Sequence, residues 1–388
     1  MKCTRNVTDH VIWVGANDRR LNLFENLFPI PRGVSYNAYL IKDEKNALMD
    51  TVDASASEQF IENVAYALNG GKLDYLVVQH MEPDHCANIQ RILELYPETK
   101  VVGNVKTMQM ISQFFDADLE GRQVVVKEGD TLELGNHTLH FVMAPMVHWP
   151  EVMVEYEETE KILFSADGFG KFGALSAEEE WTDEARRYFI NIVGKYGVQV
   201  QTLLKKAAAL DIQTICPLHG PILKDNLGFY IGKYLTWSSY EPEEDGVLVA
   251  CASIHGNTKA AAEKMVEVLR ANGASKVVFM DLTRDDMAEA VADAFRYGKI
   301  ILAAASYDAG VFPPMEDFLH RLVHKNLQKR TFGLIENGSW APCAARGMKG
   351  ILEGMKEVNV CENVVSIKST MKDTDVAKME ELAKEILA

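Results

Sequence analysis

The sequence predicts two domains of different class, a mixed α+β domain followed by an α/β domain built on a doubly wound parallel sheet. Three observations carry this. The chain has 388 residues, about two to three domains at roughly 150 residues each. A polar, acidic stretch at 236–246, TWSSYEPEEDG, breaks it, and the apolar run VLVACAS follows at once. On either side of that break the apolar runs are spaced differently. We therefore expect a first domain over 1–240 and a second over 247–388.

In the first part the runs are rich in Val, Ile and Tyr: NAYLIKDEKNALMDT, YLVVQH, KVVGN, RQVVVKEGDTLELGNHTLHFVMAP, MVEYEETEKILFSAD and TICPLHG. Hairpin signals at Gly135–Asn136 and Glu158–Thr159–Glu160 give it antiparallel character. Helical patterns fall near 57–68, 86–95, 107–115 and 183–209. In the second part, runs at 247–253, 276–282, 299–306, 330–336 and 363–369 alternate with amphipathic stretches such as KAAAEKMVEVLRAN. Five such βα units predict a parallel sheet with helices on both faces. The last helix, TDVAKMEELAKEILA, is expected to close the domain.

Composition narrows the function classes. At 47% hydrophobic and 25% charged the chain is globular rather than disordered. A net charge of −16 opposes non-specific nucleic-acid binding and anionic membrane surfaces alike. No apolar run is long enough to span a bilayer, and MKCTRNVTDHVIWVG has no leader pattern. A cytoplasmic protein is expected. The six cysteines form no CxxC pair, which opposes a thiolate zinc site or a disulfide framework.

The strongest local signal is His80-Met81-Glu82-Pro83-Asp84-His85, directly after the run YLVVQ. His148, Asp167 and His219 each follow an apolar run of their own. Strand ends on one sheet edge converge on one cleft, so seven donors are expected to meet there, four imidazoles and three carboxylates. A zinc site rarely takes more than four ligands, so seven imply two metals. The charges agree: two divalent ions carry +4, and three carboxylates with one bridging hydroxide return −4. The oxygen and nitrogen donors suit iron or manganese, and zinc is admitted by the same chemistry. His10, His137, His140, His320 and His324 are expected to be turn or surface residues, and Cys86 a small buried one.

A second constellation lies after the strand expected at 247–252. Ser253, Ile254, His255, Gly256, Asn257 and Thr258 form a small polar loop before a helix, an anion site made of backbone N–H groups and hydroxyls. It lacks the GxxxxGK[ST] of triphosphate loops and the GxGxxG of dinucleotide loops, so a mononucleotide phosphate fits best. Two neighbouring loops, Ser306-Tyr307-Asp308-Ala309-Gly310 and Asn337-Gly338-Ser339-Trp340-Ala341, are expected on the same edge. There Tyr307 and Trp340 are candidates to hold a flat ring.

Taken together, HxExDH, His148, Asp167 and Pro217-Leu218-His219-Gly220-Pro221 resemble the flavodiiron proteins, and the 247–388 half resembles flavodoxin. Hydrolases of the related metallo-β-lactamase fold carry His where Glu82 stands. The resemblance implies a metallo-β-lactamase-like αββα sandwich followed by a flavodoxin-like domain binding FMN. By position it implies that His80, Glu82 and His148 hold one iron, that Asp84, His85 and His219 hold the other, and that Asp167 bridges. His255 stands where the phosphate loop usually has an aromatic, and SYDAG replaces a Ser/Pro/Thr-rich loop. The family implies reduction of O2 to water or of NO to N2O. It also implies a head-to-tail homodimer, with pairing into tetramers left open, and a separate electron donor such as rubredoxin. Trp149, Phe172 and Tyr196 are expected to wall a small apolar pocket, with Trp149 and Tyr196 nearest the chemistry. Two other readings compete: a dinuclear metallohydrolase carrying a flavodoxin module, and an electron carrier with a vestigial metal site. Glu82 opposes the first, and the complete donor set opposes the second.

Overall fold

The computed structural model describes residues 2–388 and divides them into two compact units. The first holds the residues up to Phe189 with Val198–Leu235, and the second holds Ile190–Gly197 with Thr236–Ala388.

The first unit is built on two sheets. One has seven strands, in the order Arg5–Asn6, Val11–Trp13, Tyr39–Ile41, Ala47–Met49, Tyr75–Val77, Lys100–Gly103 and Gln123–Val125. Its first four strands pair antiparallel and the rest parallel. The other has five strands: Thr131–Glu133, Thr138–Met143, Met153–Glu157, Ile162–Phe164 and Thr214–Cys216. Only its last pair is parallel. The sheets share one core, in which Trp13, Tyr39, Met49 and Val77 meet Phe141, Met153, Phe164 and Cys216. Alternate residues of the second sheet, Val142, Val154 and Leu163, turn away from that core. They meet Val200, Leu204 and Tyr234 from the helices Gly197–Ala207 and Leu227–Ser238. Period-two alternation thus buries both faces of the sheet, and helices form the outer layers of an αββα sandwich.

The second unit has a parallel sheet in the order Val277–Asp281, Glu244–Ala252, Tyr297–Tyr307, Arg330–Asn337 and Val358–Ile367. Val249, Cys251, Ile301, Ala303 and Ile335 face Met265 and Leu269 of the helix Asn257–Ala271 and Met379 and Leu382 of the helix Asp373–Leu387. The alternating set Leu248, Ala250, Ile300, Leu302 and Leu334 is equally buried, as a sheet covered on both faces requires. In strand-sequence terms the order is 2-1-3-4-5, so the topological switch point lies at the carboxyl ends of Glu244–Ala252 and Tyr297–Tyr307.

Several elements differ from the sequence expectation. The helical pattern at 183–209 is interrupted, with helices over Trp181–Tyr188 and Gly197–Ala207. Between them, Tyr240 Oη donates to the carbonyls of Gly194 and Lys195 and accepts from Gly197 N–H. These bonds join Ile190–Gly197 to the second unit. A Cβ at Gly197 would come within 2.3 Å of Ser238 O, so only glycine allows this approach. The helix Leu227–Ser238 runs into the polar stretch expected to separate the domains, and the strand expected from 247 begins at Glu244. Among the described residues no helix is long and apolar enough to cross a membrane.

Candidate metal centre and cofactor cleft

The seven donors converge because four strands of the first unit point one way. Thr138–Met143 runs in the same direction as Ile162–Phe164, two antiparallel steps away, and Ile162–Phe164 is parallel to Thr214–Cys216. Their exits deliver His148, Asp167 and His219, and the exit of Tyr75–Val77 delivers the HxExDH segment. Within that segment His80 and Glu82 lie two apart on extended chain and so share a side. Pro83 then starts the short helix Pro83–Cys86, which turns Asp84 and His85 to a second position.

The side chains sort into two groups joined by one residue. His80, Glu82, His148 and Asp167 converge in one, and Asp84, His85 and His219 in the other. His148 Nε2 lies 3.1 Å from both Glu82 Oε2 and Asp167 Oδ2, and His80 Nε2 lies 3.3 and 3.4 Å from the same two oxygens. On the other side, Asp167 Oδ1 is 3.2 Å from His85 Nε2 and 3.8 Å from His219 Nε2. Asp84 Oδ2 is 3.4 and 3.2 Å from the same two nitrogens. The two oxygens of Asp167 therefore face different groups. Two ligands held about 2.1 Å from one ion sit about 3.0–3.4 Å apart at tetrahedral to right angles, which is the spacing found here.

The protonation pattern fits cations. Glu151 Oε1, fully buried, accepts from His80 Nδ1 at 2.8 Å and from Met81 N–H. His219 Nδ1 donates to Ser35 O at 2.7 Å. Each bond fixes its ring tautomer and leaves Nε2 as a lone pair aimed inward. His85 and His219 accordingly bring their Nε2 atoms within 3.1 Å of each other. Both oxygens of Asp84 and Oδ1 of Asp167 are buried without a hydrogen bond, a costly arrangement unless a cation meets them. Without metal, protons take that role. Burial opposes the charge on His148, yet Asp167 and Glu82 outweigh it and push the imidazole up to about 9. Burial also opposes ionisation of Asp167, yet His80, His148 and His85 hold its carboxyl far below the usual range.

Residues outside the sequence pattern complete the site. Gln79 donates to Asp50 Oδ2 and accepts from Ala166 N–H, tying the HxExDH segment to the Asp167 turn. Glu25 bonds the Glu82 carboxylate, and burial of its carboxyl end together with that negative neighbour pushes it up to about 8. Cys86, beside His85, is buried and donates to Met81 O. Trp149 meets His80 and His148 edge-on, at centroid distances of 5.3 and 6.3 Å. Phe172 is buried against Phe24 and Tyr188. The rings packed on His219 are Phe24, Tyr36 and Tyr188. Tyr196 lies in the segment grouped with the second unit, and its ring faces the Lys195 ammonium.

A pH prediction follows for the metal-stripped protein. His148 rises from 6.5 to about 9, and Glu25 from 4.5 to about 8. The folded chain then holds protons that the unfolded chain releases, so stability must fall as pH rises. The urea midpoint of the stripped protein is expected to drop steadily from about pH 5 to pH 9, while the metal-loaded protein stays nearly level. A level profile for the stripped form would contradict the proton-for-cation substitution.

In the second unit a cleft of about 740 Å³ opens at the switch point, within the about 300–1,000 Å³ usual for ligand sites. All three expected loops line it: Ser253, Ile254, His255, Asn257 and Thr258 from the first, Ser306, Tyr307, Asp308 and Ala309 from the second, and Asn337 to Ala341 from the third. Gly256 and Gly310 are not among the lining residues, but both shape loops. Gly256 takes the left-handed φ of +91° that starts the helix Asn257–Ala271, and its N–H donates to Ser253 Oγ. Gly310 pairs with Tyr307 across a tight turn whose central residues, Asp308 and Ala309, are both left-handed. Ser306 Oγ accepts from the N–H groups of Cys343 and Ala344. Cys343, Arg346 and Ser369 also line the cleft and were not expected from sequence. Tyr307 and Trp340, 45% and 89% exposed, border the cleft, and the Tyr307 ring also packs near Phe312.

The chain is similar in sequence and fold to known proteins. A family model described as "ODP family beta lactamase" matches residues 34–220. A nitric oxide reductase of Moorella thermoacetica is 28% identical over 98% of each chain. The solved rubredoxin oxygen:oxidoreductase of Desulfovibrio gigas is 27% identical and superposes with a TM-score of 0.92, covering 99% of this chain and 98% of that one. The flavodiiron protein of Giardia intestinalis, 22% identical, shares the fold with a TM-score of 0.91 over the whole of this chain and 97% of its own. The chain is thus similar over both units to proteins described as flavodiiron proteins and as nitric oxide or oxygen reductases, and it carries Glu82 within the HxExDH segment.

Proposed function

We propose that this protein reduces dioxygen to water, nitric oxide to nitrous oxide, or both, at a pair of iron ions fed by FMN. The observation that carries the reading is Asp167, whose two buried oxygens each face a separate group of donors. When bound, FMN supplies two electrons and the iron pair two more, enough for one O2, while two NO need only two. The chain's own residues hold and orient. His80, Glu82 and His148 would hold one ion, Asp84, His85 and His219 the other, and Asp167 would serve both. Glu151 and Ser35 O set the tautomers of His80 and His219. Phe24, Tyr36, Trp149 and Tyr188 keep the surroundings apolar, which limits water and strengthens every charge interaction.

In the second unit, the start of the helix Asn257–Ala271 with Ser253 and Thr258 would take the FMN phosphate. The loops carrying Tyr307 and Trp340 would take the flavin ring. Thr258→Val removes one donor to a charged phosphate, worth about 1.5–3 kcal/mol. It is expected to weaken FMN binding about 10- to 100-fold by flavin fluorescence titration. Unchanged affinity would move the phosphate elsewhere.

The remaining parts of the reading are a reduced, cytoplasmic setting, a rubredoxin-type electron donor, and a head-to-tail homodimer that sets one subunit's FMN beside the other's iron pair. The free cysteines support the first, and the Desulfovibrio relative's name supports the second. The test is anaerobic stopped-flow mixing of reduced protein, assayed for two iron and one FMN per chain, with O2 and separately with NO. Rapid oxidation by O2 without peroxide marks an oxygen reductase. Rapid oxidation by NO with N2O formed marks a nitric oxide reductase. Slow oxidation by both gases refutes the proposal.

A further inference from the structure

His10, His137 and Glu160 come from three separate turns of the first unit. His10 lies between Arg5–Asn6 and Val11–Trp13, His137 between Thr131–Glu133 and Thr138–Met143, and Glu160 between Met153–Glu157 and Ile162–Phe164. Two of these turns enter the strands whose far ends deliver His148 and Asp167. The cluster thus sits at the opposite edge of the sandwich from the dinuclear centre. One atom from each of the three residues lies within 4.8 Å of the others. His10 Nδ1 is 2.9 Å from Glu160 Oε1, and the two histidine rings are 5.0 Å apart between centroids.

The decisive residue is His137, which is 2% exposed. Asp43 Oδ2 accepts from its backbone N–H and from its Nδ1, both at 2.7 Å. Burial works against the Asp43 charge, but bonds from His137, Glu44 and Asn136 hold its carboxyl well below the usual range, so it stays an acceptor. The Nδ1 proton is thereby fixed and Nε2 carries a lone pair. That Nε2 is buried and has no hydrogen-bond partner. It faces Glu160 Oε1 across 3.8 Å, too far for a hydrogen bond. The gap is just under twice a zinc–ligand bond of about 2.0–2.1 Å. A ring whose other nitrogen is held by a carboxylate is the usual state of a metal-bound histidine. Thr8 Oγ1 donates to Glu160 Oε2 and fixes the third ligand. His10, 55% exposed, leaves the site open to solvent.

We propose that His10, His137 and Glu160 form a mononuclear site for a divalent transition-metal ion of the zinc class, separate from the dinuclear centre. Two imidazoles and one carboxylate, with a position left for water, match zinc's ligand preferences. Such an ion would join the N-terminal hairpin of one sheet to two turns of the other.

The experiment uses FMN-bearing, iron-loaded protein dialysed against Zn2+, with iron and zinc counted by mass spectrometry. Anomalous diffraction at the zinc edge locates the ion. One zinc per chain beyond the two iron, placed at these three residues, is the expected result. His10→Ala and Glu160→Gln should each lose that zinc while keeping iron content and the rate of gas reduction. Both changes lie in turns, and a thermal melt confirms folding. The proposal is overturned if no zinc binds beyond the iron, if zinc survives both substitutions, or if it lies elsewhere. None of these outcomes depends on the reductase reading.

Discussion

Asp167→Ala is expected to abolish the dinuclear centre and the reductase activity while leaving FMN bound. Asp167 is the only one of the seven donors that faces both groups, Oδ2 toward His80 and His148 and Oδ1 toward His85 and His219. On the proposed assignment, alanine would remove one ligand from each ion and one negative charge from between two cations. Loss of an outer partner of a metal ligand typically costs about 10- to 100-fold in affinity or activity. Loss of the bridge should exceed that, with activity down more than about 100-fold. Asp167→Asn makes the sharper variant, because it keeps the shape and removes the charge. It too should fail to hold two iron per chain. The flavin spectrum should be unchanged, since the residues proposed to bind FMN lie in the second unit. Iron counting, the visible spectrum and gas consumption check this together. Full iron and full activity in either variant would end the bridging assignment.

The second large effect is expected at Arg330, in the flavin half. Its side chain is 2% exposed. Its guanidinium donates to the carbonyls of Ala294, Phe295, Tyr240, Gln328 and Lys329. Ala294 and Phe295 lie in the last turn of the helix Met287–Arg296, where carbonyls run out of intrahelical donors and the helix dipole favours a cation. Burial lowers the guanidinium pKa to about 10, so it remains charged at neutral pH. The fork meets several carbonyls at once, which a lysine cannot do. Arg330→Met fills much of the volume but leaves buried carbonyls without a donor, at about 1–3 kcal/mol each. A net loss of about 3–5 kcal/mol is expected, read as urea unfolding followed by flavin release. Arg330→Lys should fall between the two. A change below about 1 kcal/mol would show that water or backbone shifts satisfy the carbonyls instead.

What the sequence revealed, and what it hid, has a physical pattern. Donors that leave a strand next to Gly or Pro, as in the HxExDH run or Pro217 to Pro221, announce themselves locally. Strand direction then brings them together, so the convergence of all seven donors was legible. The parallel sheet of the second unit was legible for a similar reason, since both of its faces are buried and its strands read as unbroken apolar runs. Glu151, Ser35 and Glu25 were not legible. Each acts through a contact made only in the folded chain, and none stands in a spacing that marks it. Tyr188 was hidden for another reason. It sits in an amphipathic helix, where an aromatic reads as ordinary core. The helix Leu227–Ser238 was missed because Gly228, Gly232 and several aromatics weaken its intrinsic preference. His10 and His137 read as turn residues one at a time, and only the meeting of three turns gives them a common point.

The position of Cys86 bears on how long such a protein can work. It follows the donor His85, beside a centre that handles an oxidising gas. Oxidation of cysteine begins from the thiolate. Burial, with Asp84 next among the contributors, raises the Cys86 thiol far above its ordinary value, and its S–H is held by Met81 O. A stray oxidant therefore finds a buried, protonated sulfur. Oxidative wear should fall first on Cys3, which is exposed. Mass spectrometry of protein aged by turnover should find sulfenic and sulfinic acid at Cys3 while Cys86 is still intact.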